Sequence, residues 1–91
     1  ALTQDLSLVV PESVSAQAIQ FVLVESAGEL LEGLRLVDEY QGTGIEPGKK
    51  SLTFSMVFRD REKTLTQNEA NAVKLSAVQA CQEKFGAELR S

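Results

Sequence analysis

The most regular pattern of apolar and polar positions in the chain runs from residue 51 to residue 59. Every second residue there is apolar, and in a strand such residues point to one side: Leu52, Phe54, Met56 and Phe58. The other side carries mostly small polar groups: Ser51, Thr53, Ser55 and Arg59, with Val57 among them. The pattern predicts a strand with one face against the core and a polar face turned away from it.

Periodicity in the rest of the chain predicts three more strands and two helices. Alternation predicts strands over Gln4–Val10, Leu30–Tyr40 and Ala87–Arg90. Helical spacing runs from Ser13 or Ser15 to Ala27, where Gly28 is a plausible stop, and again from Thr66, which opens a capping box with Glu69, to a stop at Gly86. On the second helix Cys81 belongs to the apolar stripe, so we interpret it as a buried apolar residue rather than a reactive thiol.

The order strand, helix, strand, strand, helix, strand is typical of an α+β ferredoxin-like fold. Two right-handed crossovers joined by a hairpin give a four-stranded antiparallel sheet with both helices on one face. The first and third strands then lie in the middle of the sheet, and we expect residues 1–91 to form a single domain. Their outward side chains would form an open polar surface: Asp5, Ser7, Ser51, Thr53, Ser55 and Arg59.

The second strand contains one irregular stretch, at Asp38-Glu39-Tyr40. A simple alternation would put the Asp38 carboxylate into the core, which is costly unless it is hydrogen-bonded. We therefore expect a bulge or the end of the strand there, and the pattern leaves open which way Asp38 and Tyr40 face. Two placements of Tyr40 fit the pattern equally well: partly buried against the core, or at the rim of the open surface.

Composition removes several classes of chemistry. The chain has no histidine and one cysteine, which excludes Ser-His and Cys-His nucleophile pairs, a disulfide within the chain and the usual zinc and iron–sulfur sites. Gly48-Lys49-Lys50-Ser51 falls short of a phosphate-binding loop, because Thr43 stands where that motif needs glycine and a strand follows in place of a helix. We expect a non-catalytic domain with no metal and no cofactor of its own. A cytoplasmic location is the default, since no apolar run is long enough to span a bilayer.

Charge is distributed unevenly along the chain, whose formal net charge is −4. Residues 1–48 carry eight acids and one base, whereas residues 49–63 carry five bases and two acids. The basic residues bracket the central strand: Lys49, Lys50, Arg59, Arg61 and Lys63. Local potential steers a polyanion more than total charge does. The alternative interpretation, a solvated hairpin with charged ends, is about equally common for such runs.

Several segments together resemble one family. They are Leu36 to Gly42, Gly44 to Phe54, Thr64-Leu65-Thr66 with Glu69 and Asn71, and Lys84 to Arg90. In this order they are similar to the ferredoxin-fold anticodon-binding domain that ends the β subunit of bacterial phenylalanyl-tRNA synthetases, and the resemblance covers the chain from Asp5 to Arg90. Two positions depart from the usual pattern: Lys63 stands where the family often has arginine, and Thr53 where it often has alanine. Lysine keeps the charge but lacks the bidentate geometry of arginine.

The resemblance implies that the domain grips the anticodon stem-loop of phenylalanine tRNA. It also implies that aminoacylation with ATP and magnesium takes place in the α subunit of an α2β2 assembly, with the rest of the β subunit and the α subunit as protein partners and neither DNA nor a membrane. On this interpretation a chain that begins at Ala1 is a fragment of a longer one.

The leading hypothesis is an RNA-binding module that uses the open sheet face and its basic ends. Phosphates would be contacted by Lys49, Lys50, Arg59 and Arg61. Bases or sugars would be contacted by Ser51, Thr53, Ser55, Asp38 and Tyr40. The competing hypothesis is a regulatory or assembly module that pairs with a partner subunit or holds a small effector near Gly42–Gly48, because fold alone does not separate these uses.

Overall fold

Four strands and two helices follow one another in the predicted order in the computed structural model, which describes residues 2–90. Residues 1 and 91, the ends of the predicted domain, lie outside the described part. The elements are β1 (Leu2–Pro11), α1 (Ala16–Ala27), β2 (Leu31–Tyr40), β3 (Lys49–Phe58), α2 (Gln67–Phe85) and β4 (Glu88–Leu89), with a 3₁₀ turn at Gly28–Leu30 between α1 and β2. The last strand is therefore shorter than the segment Ala87–Arg90 predicted from the sequence.

The strands form one antiparallel sheet in the order β2-β3-β1-β4. This order places β1 and β3 in the middle, as a ferredoxin-like fold requires, and confirms the predicted fold class. The long β1–β3 pairing runs without interruption from Leu2 opposite Phe58 to Pro11 opposite Lys49. Because this register has no irregularity, side chains on the two central strands keep strict alternation between the two sides of the sheet.

Both helices cover the same side of the sheet. The apolar residues of β3 predicted to face the core are fully buried there: Leu52, Phe54, Met56 and Phe58. They join the inward residues of β1 and the buried stripes of both helices in one cluster. Cys81 is part of this cluster and is 0% exposed, which confirms its interpretation as a core residue. The other side of the sheet, which we call the open face, carries no helix.

The helix ends follow the predicted capping residues. The Ser15 hydroxyl accepts a hydrogen bond from the Ala18 amide and begins α1. At the start of α2 the Thr66 hydroxyl accepts from the Glu69 amide, and the Glu69 carboxylate accepts from the Thr66 amide, each at 3.1 Å. Gly86 ends α2 with φ of 69°, a left-handed conformation that glycine adopts without strain.

The pairing of β2 with β3 changes register twice. The shifts lie between Leu31 and Gly33 and between Leu36 and Asp38, so Glu32 and Val37 are the extra residues. The second bulge thus lies just before the stretch predicted to be irregular. Because of it, Asp38 pairs with Thr53 on the open face and is exposed, so its carboxylate avoids the core.

Neither of the two helices in residues 2–90 has the length and apolar character that crossing a membrane would need.

Candidate functional site

The open face consists of short rows of side chains that run across β1, β3 and β2. The strand registers place Asp5, Ser55 and Arg35 in one row, Ser7, Thr53 and Asp38 in the next, and Val9, Ser51 and Tyr40 in the third. Neighbouring rows are about 6.6 Å apart, from a rise of 3.3 Å per residue. Polar groups therefore occupy most of the uncovered side of the sheet, as the alternation in β3 predicts.

The outer edge of this face is formed by one strand with three different functional groups. Arg35, Asp38 and Tyr40 of β2 all point to the open face, and we call them the β2 column. In an uninterrupted strand, residue 35 would share its side with 37 and 39. The bulge at Val37 shifts this alternation by one residue. Asp38 and Tyr40 therefore lie on the same side of the sheet as Arg35, whereas Glu39 lies on the helix side. The β2 column brings together a guanidinium, a carboxylate and an aromatic ring.

Tyr40 is held in place by the loop that follows it. Its hydroxyl donates a hydrogen bond of 2.9 Å to the carbonyl of Thr43, while its side chain remains partly exposed. Gly42 lies beside the hydroxyl end of Tyr40 with φ of 140°, and a Cβ built there would come within 3.1 Å of the tyrosine hydroxyl oxygen. Glycine is needed for both reasons, the backbone angle and the close approach. The ring is thus fixed at the rim of the open face.

The hydroxyl groups of the two central strands differ in how accessible they are. Ser7 Oγ and Thr53 Oγ1 lie 2.8 Å apart and are hydrogen-bonded across β1 and β3, so each retains only part of its bonding capacity for a ligand. Thr53 and Ser55 are half-buried. Ser51, between Val9 and Tyr40, is only 2% exposed. Any contact with Ser51 therefore depends on how its two neighbours are placed.

Most of the predicted basic residues lie against glutamates, some of them in other elements of the fold. Arg59 Nε is 2.6 Å from Glu32 Oε2, at the end of β3. Lys49 Nζ is 3.5 Å from both Glu46 and Glu88, whose charges raise the pKa of Lys49 above its usual value. These pairs bring the local charge near zero where the sequence indicates a positive potential.

Lys50 and Arg61 lie away from the open face. Lys50 pairs with Val10, points to the helix side, and is 8% exposed with its ammonium 3.2 Å from Glu39. Arg61 is exposed in the turn between β3 and α2. The structure therefore groups seven of the nine predicted contact residues on the open face and at its ends: Asp38, Tyr40, Lys49, Ser51, Thr53, Ser55 and Arg59. Lys49 flanks this surface, opposite Pro11 at the end of β1.

Arg35 is a cation of the open face that the charge pattern of the sequence does not select. It is exposed, pairs with Ser55, and has no carboxylate within ion-pair distance in residues 2–90. The signal that reveals it is its alternation with Leu34 and Leu36, both of which pack against the core. A count of charge by segment hides it among the acids of the first half of the chain.

The described part of the chain offers little for catalysis or metal binding. Within residues 2–90, no three acidic or cysteine side chains are grouped so that they would hold a metal ion. Burial raises the pKa of the Cys81 thiol to about 11, which keeps it protonated and poorly nucleophilic at neutral pH. The arrangement is suited to binding through stacking, hydrogen bonds and charge.

A family model and several curated relatives match nearly the whole chain. The model of the ferredoxin-fold anticodon binding domain matches residues 1–90. The chain is 47% identical over 90 residues to a phenylalanine–tRNA ligase beta subunit of Corynebacterium efficiens, covering 99% of this chain and 11% of that protein. It is 49% identical to the corresponding subunit of Tropheryma whipplei (99% and 9%) and 43% identical to that of Bacillus cereus (99% and 11%). The chain spans about a tenth of the length of these relatives, and it belongs to the ferredoxin-fold anticodon binding domain family.

Proposed function

We propose that this domain binds the anticodon stem-loop of phenylalanine tRNA through the open face of its sheet. The observation that carries the proposal is the β2 column, in which an exposed carboxylate and a fixed aromatic ring lie on the one side of the sheet that no helix covers. Membership of an anticodon-binding family and likeness to phenylalanine–tRNA ligase beta subunits support it.

The chemistry of the β2 column suits single-stranded RNA. Bases that are splayed out of a loop are recognised by stacking on aromatic rings and by hydrogen bonds to their edges. Tyr40 supplies the ring, and the Asp38 carboxylate accepts hydrogen bonds from the amino or imino groups of a base. Thr53 and Ser55 supply half-buried hydroxyls to bases or sugars. The other aromatic residues of the sheet, Phe54 and Phe58, are in the core, so stacking would depend on Tyr40.

We further propose that the domain has no catalytic activity and belongs to a larger tRNA ligase. Aminoacylation with ATP and magnesium would then take place in an α subunit, in an α2β2 assembly that also holds the rest of the β subunit. The absence of histidine, the commonest acid–base residue of enzymes, from the sequence supports a non-catalytic role for this part. A cytoplasmic location follows from the same proposal, since bacterial tRNA is charged there.

The alternative, a regulatory module with an effector near Gly42–Gly48, has less support. That loop is closed by its own hydrogen bonds, from the Ile45 amide to the Gly42 carbonyl and from the Tyr40 hydroxyl to Thr43. The carbonyl oxygens of Gly42 and Thr43 are therefore already engaged within the loop. Sedimentation and thermal shift with amino acids test this alternative: a concentration-dependent dimer or a shifted Tm would support it.

Fluorescence anisotropy with two labelled stem-loops tests the main proposal. The stem-loops share a stem and differ only in the anticodon, one being that of phenylalanine tRNA. We expect tighter binding to the phenylalanine anticodon, with a log–log salt slope of about −0.7 to −0.9 for each phosphate neutralised. Equal affinity for both, or binding that does not change with salt, would overturn the proposal.

Two alanine variants locate the binding surface. Tyr40→Ala should weaken binding about 5- to 150-fold, the equivalent of roughly 1–3 kcal/mol for one stacked base. Phe21→Ala is the matched control, because Phe21 is an exposed aromatic residue (63%) on α1, on the other side of the sheet. An equal loss in both variants would place the contact surface elsewhere.

A further inference from the structure

Two arginines beside the open face have no acid within ion-pair distance in residues 2–90: Arg35 on β2, and Arg90, which follows β4 next to Ser7. Of these two, Arg35 is the one that belongs to the β2 column. Within residues 2–90, the cations at the ends of β3 are neutralised by Glu32, Glu46 and Glu88, and Lys50 is paired with Glu39 on the helix side. Arg35 has no such pair. A guanidinium that is not already neutralised keeps its full attraction for a polyanion, whereas a paired cation must first exchange its carboxylate.

The position of Arg35 also suits an RNA strand that passes over the β2 column. Asp38 and then Tyr40 follow it on the same side, one row and two rows away. Two rows correspond to about 13 Å, given a rise of 3.3 Å per residue. Gly33, in the row beyond Arg35, has no side chain to obstruct the approach. A base stacked on the Tyr40 ring and a phosphate bound to the Arg35 guanidinium would thus belong to one short stretch of RNA.

We propose that Arg35 is the main phosphate-binding residue of the open face and contacts the RNA backbone next to the bases that lie on Asp38 and Tyr40. This inference rests on the proposed function and names a contact within the same site. On this inference the main electrostatic contribution to RNA binding comes from β2, in the acidic half of the chain. It does not come from the basic segment 49–63, where acids neutralise most of the cations. The planar fork of arginine suits a phosphate through two parallel hydrogen bonds.

The test is the salt dependence of binding to the phenylalanine anticodon stem-loop for the 91-residue chain and three variants. Arg35→Gln should weaken binding by roughly three- to tenfold at 0.1 M salt and reduce the steepness of the log–log slope by about 0.7 to 0.9, the contribution of one phosphate. Arg35→Lys keeps the charge and should restore the wild-type slope. Lys84→Gln is the matched control, because Lys84 is an exposed cation on α2 without a glutamate partner among the ion pairs of residues 2–90.

The possible results separate the two proposals. If the wild-type chain binds the stem-loop with anticodon preference and Arg35→Gln leaves the salt slope unchanged, the assignment of Arg35 is wrong and the proposed function stands. An equal change of slope in Lys84→Gln also overturns the assignment, because it indicates a general effect of charge. If the wild-type chain shows no anticodon preference, the proposed function fails, and the role of Arg35 fails with it.

Discussion

The ammonium of Lys50 lies 3.2 Å from the carboxylate of Glu39, on the helix side of the sheet, and the pair exists because β2 contains one extra residue at Val37. If Val37 were paired regularly with β3 and did not bulge, Glu39 would point to the open face and leave the Lys50 side chain, which is 10% exposed, without a counter-charge. The bulge therefore determines both the composition of the β2 column and the environment of a nearly buried lysine.

Removing the acid from this pair should destabilise the fold. Glu39→Gln leaves the Lys50 charge largely buried without a partner, and we expect the free energy of unfolding to fall by about 1 to 2 kcal/mol, because Glu39 itself is half-exposed. Urea denaturation gives this value. The double variant Glu39→Gln, Lys50→Met removes both charges and should recover most of the loss. A single variant as stable as the wild type would mean that the pair contributes nothing.

The capping box of α2 should make stability depend on pH in the acid range. Lys63 and the Thr66 backbone and hydroxyl lower the pKa of Glu69 from 4.5 to about 2. A carboxylate whose pKa is lower in the folded state stabilises the fold above the unfolded-state pKa, and this contribution is lost as pH falls from about 4.5 to about 2. Glu69→Gln keeps an acceptor for the Thr66 amide but lacks the charge.

Urea midpoints at pH 7 and at pH 2.5 measure this effect. The wild type should lose more stability than Glu69→Gln between the two values, since only the wild type has the carboxylate to protonate. Lys63→Gln is a useful second variant, because it removes the largest cause of the lowered pKa of Glu69. It should lose less stability than the wild type between pH 7 and pH 2.5. Parallel pH profiles for wild type and Glu69→Gln would contradict the assigned role of the carboxylate.

Cys81 should react only when the protein unfolds. It is 0% exposed, and with a pKa of about 11 only about one thiol in a thousand would be ionised at pH 8. We expect the labelling rate with an aromatic disulfide reagent to follow the rate or extent of unfolding as urea is added. Rapid labelling of the native protein, at a rate like that of a free thiol, would show that Cys81 is accessible.

Two glycines of the loop after β2 separate backbone strain from displacement of Tyr40. Gly42 and Gly44 both have positive φ (140° and 91°), so alanine is strained at either, at a cost of roughly 1–2 kcal/mol. Only at Gly42 would the new Cβ meet the Tyr40 hydroxyl oxygen, at 3.1 Å, whereas a Cβ at Gly44 meets nothing within 4 Å. Gly42→Ala should therefore alter Tyr40 in addition to lowering stability.

Tyrosine fluorescence provides a specific measurement for this comparison, because Tyr40 is the single tyrosine and the chain has no tryptophan. We expect Gly42→Ala to change the emission and to weaken binding of the stem-loop, while Gly44→Ala keeps both close to wild type. Equal losses of RNA affinity in the two variants would indicate that loop strain, and not the position of the ring, affects binding.

The fold could be predicted almost completely from the sequence, because its signals are local. Alternation in β3 identifies the inward residues, and the spacing of Thr66 and Glu69 identifies the start of α2. The exact site of the bulge could not be predicted, because a one-residue shift costs nothing in the local pattern and is decided by pairing with β3. The sequence pattern therefore shows irregularity only from Asp38 onwards, one residue after the bulge at Val37.

The charge distribution of the site depended on contacts that no local pattern contains. Arg59 finds its partner in Glu32, and Lys49 finds one of its partners in Glu88, residues far away in the sequence. Segment charge therefore overestimates the positive potential near β3. Burial of Ser51 has the same origin, since Val9 and Tyr40 reach it from two different strands.

The two faces of the central strands differ in role: one face packs in the core, and the other is available for binding. Side chains on the two faces are joined to each other through the strand backbone. The phenylalanines of β3 maintain the fold on one side, while the serines and threonine that alternate with them lie outside the core cluster. Sequence change at the exposed positions of the open face, such as Arg35 and Asp38, can therefore proceed with less penalty in folding than change in the core, whereas Ser51 is buried and tolerates less. A domain built in this way is a practical starting point for engineering altered RNA preference, because a library confined to alternate positions would retain a common scaffold.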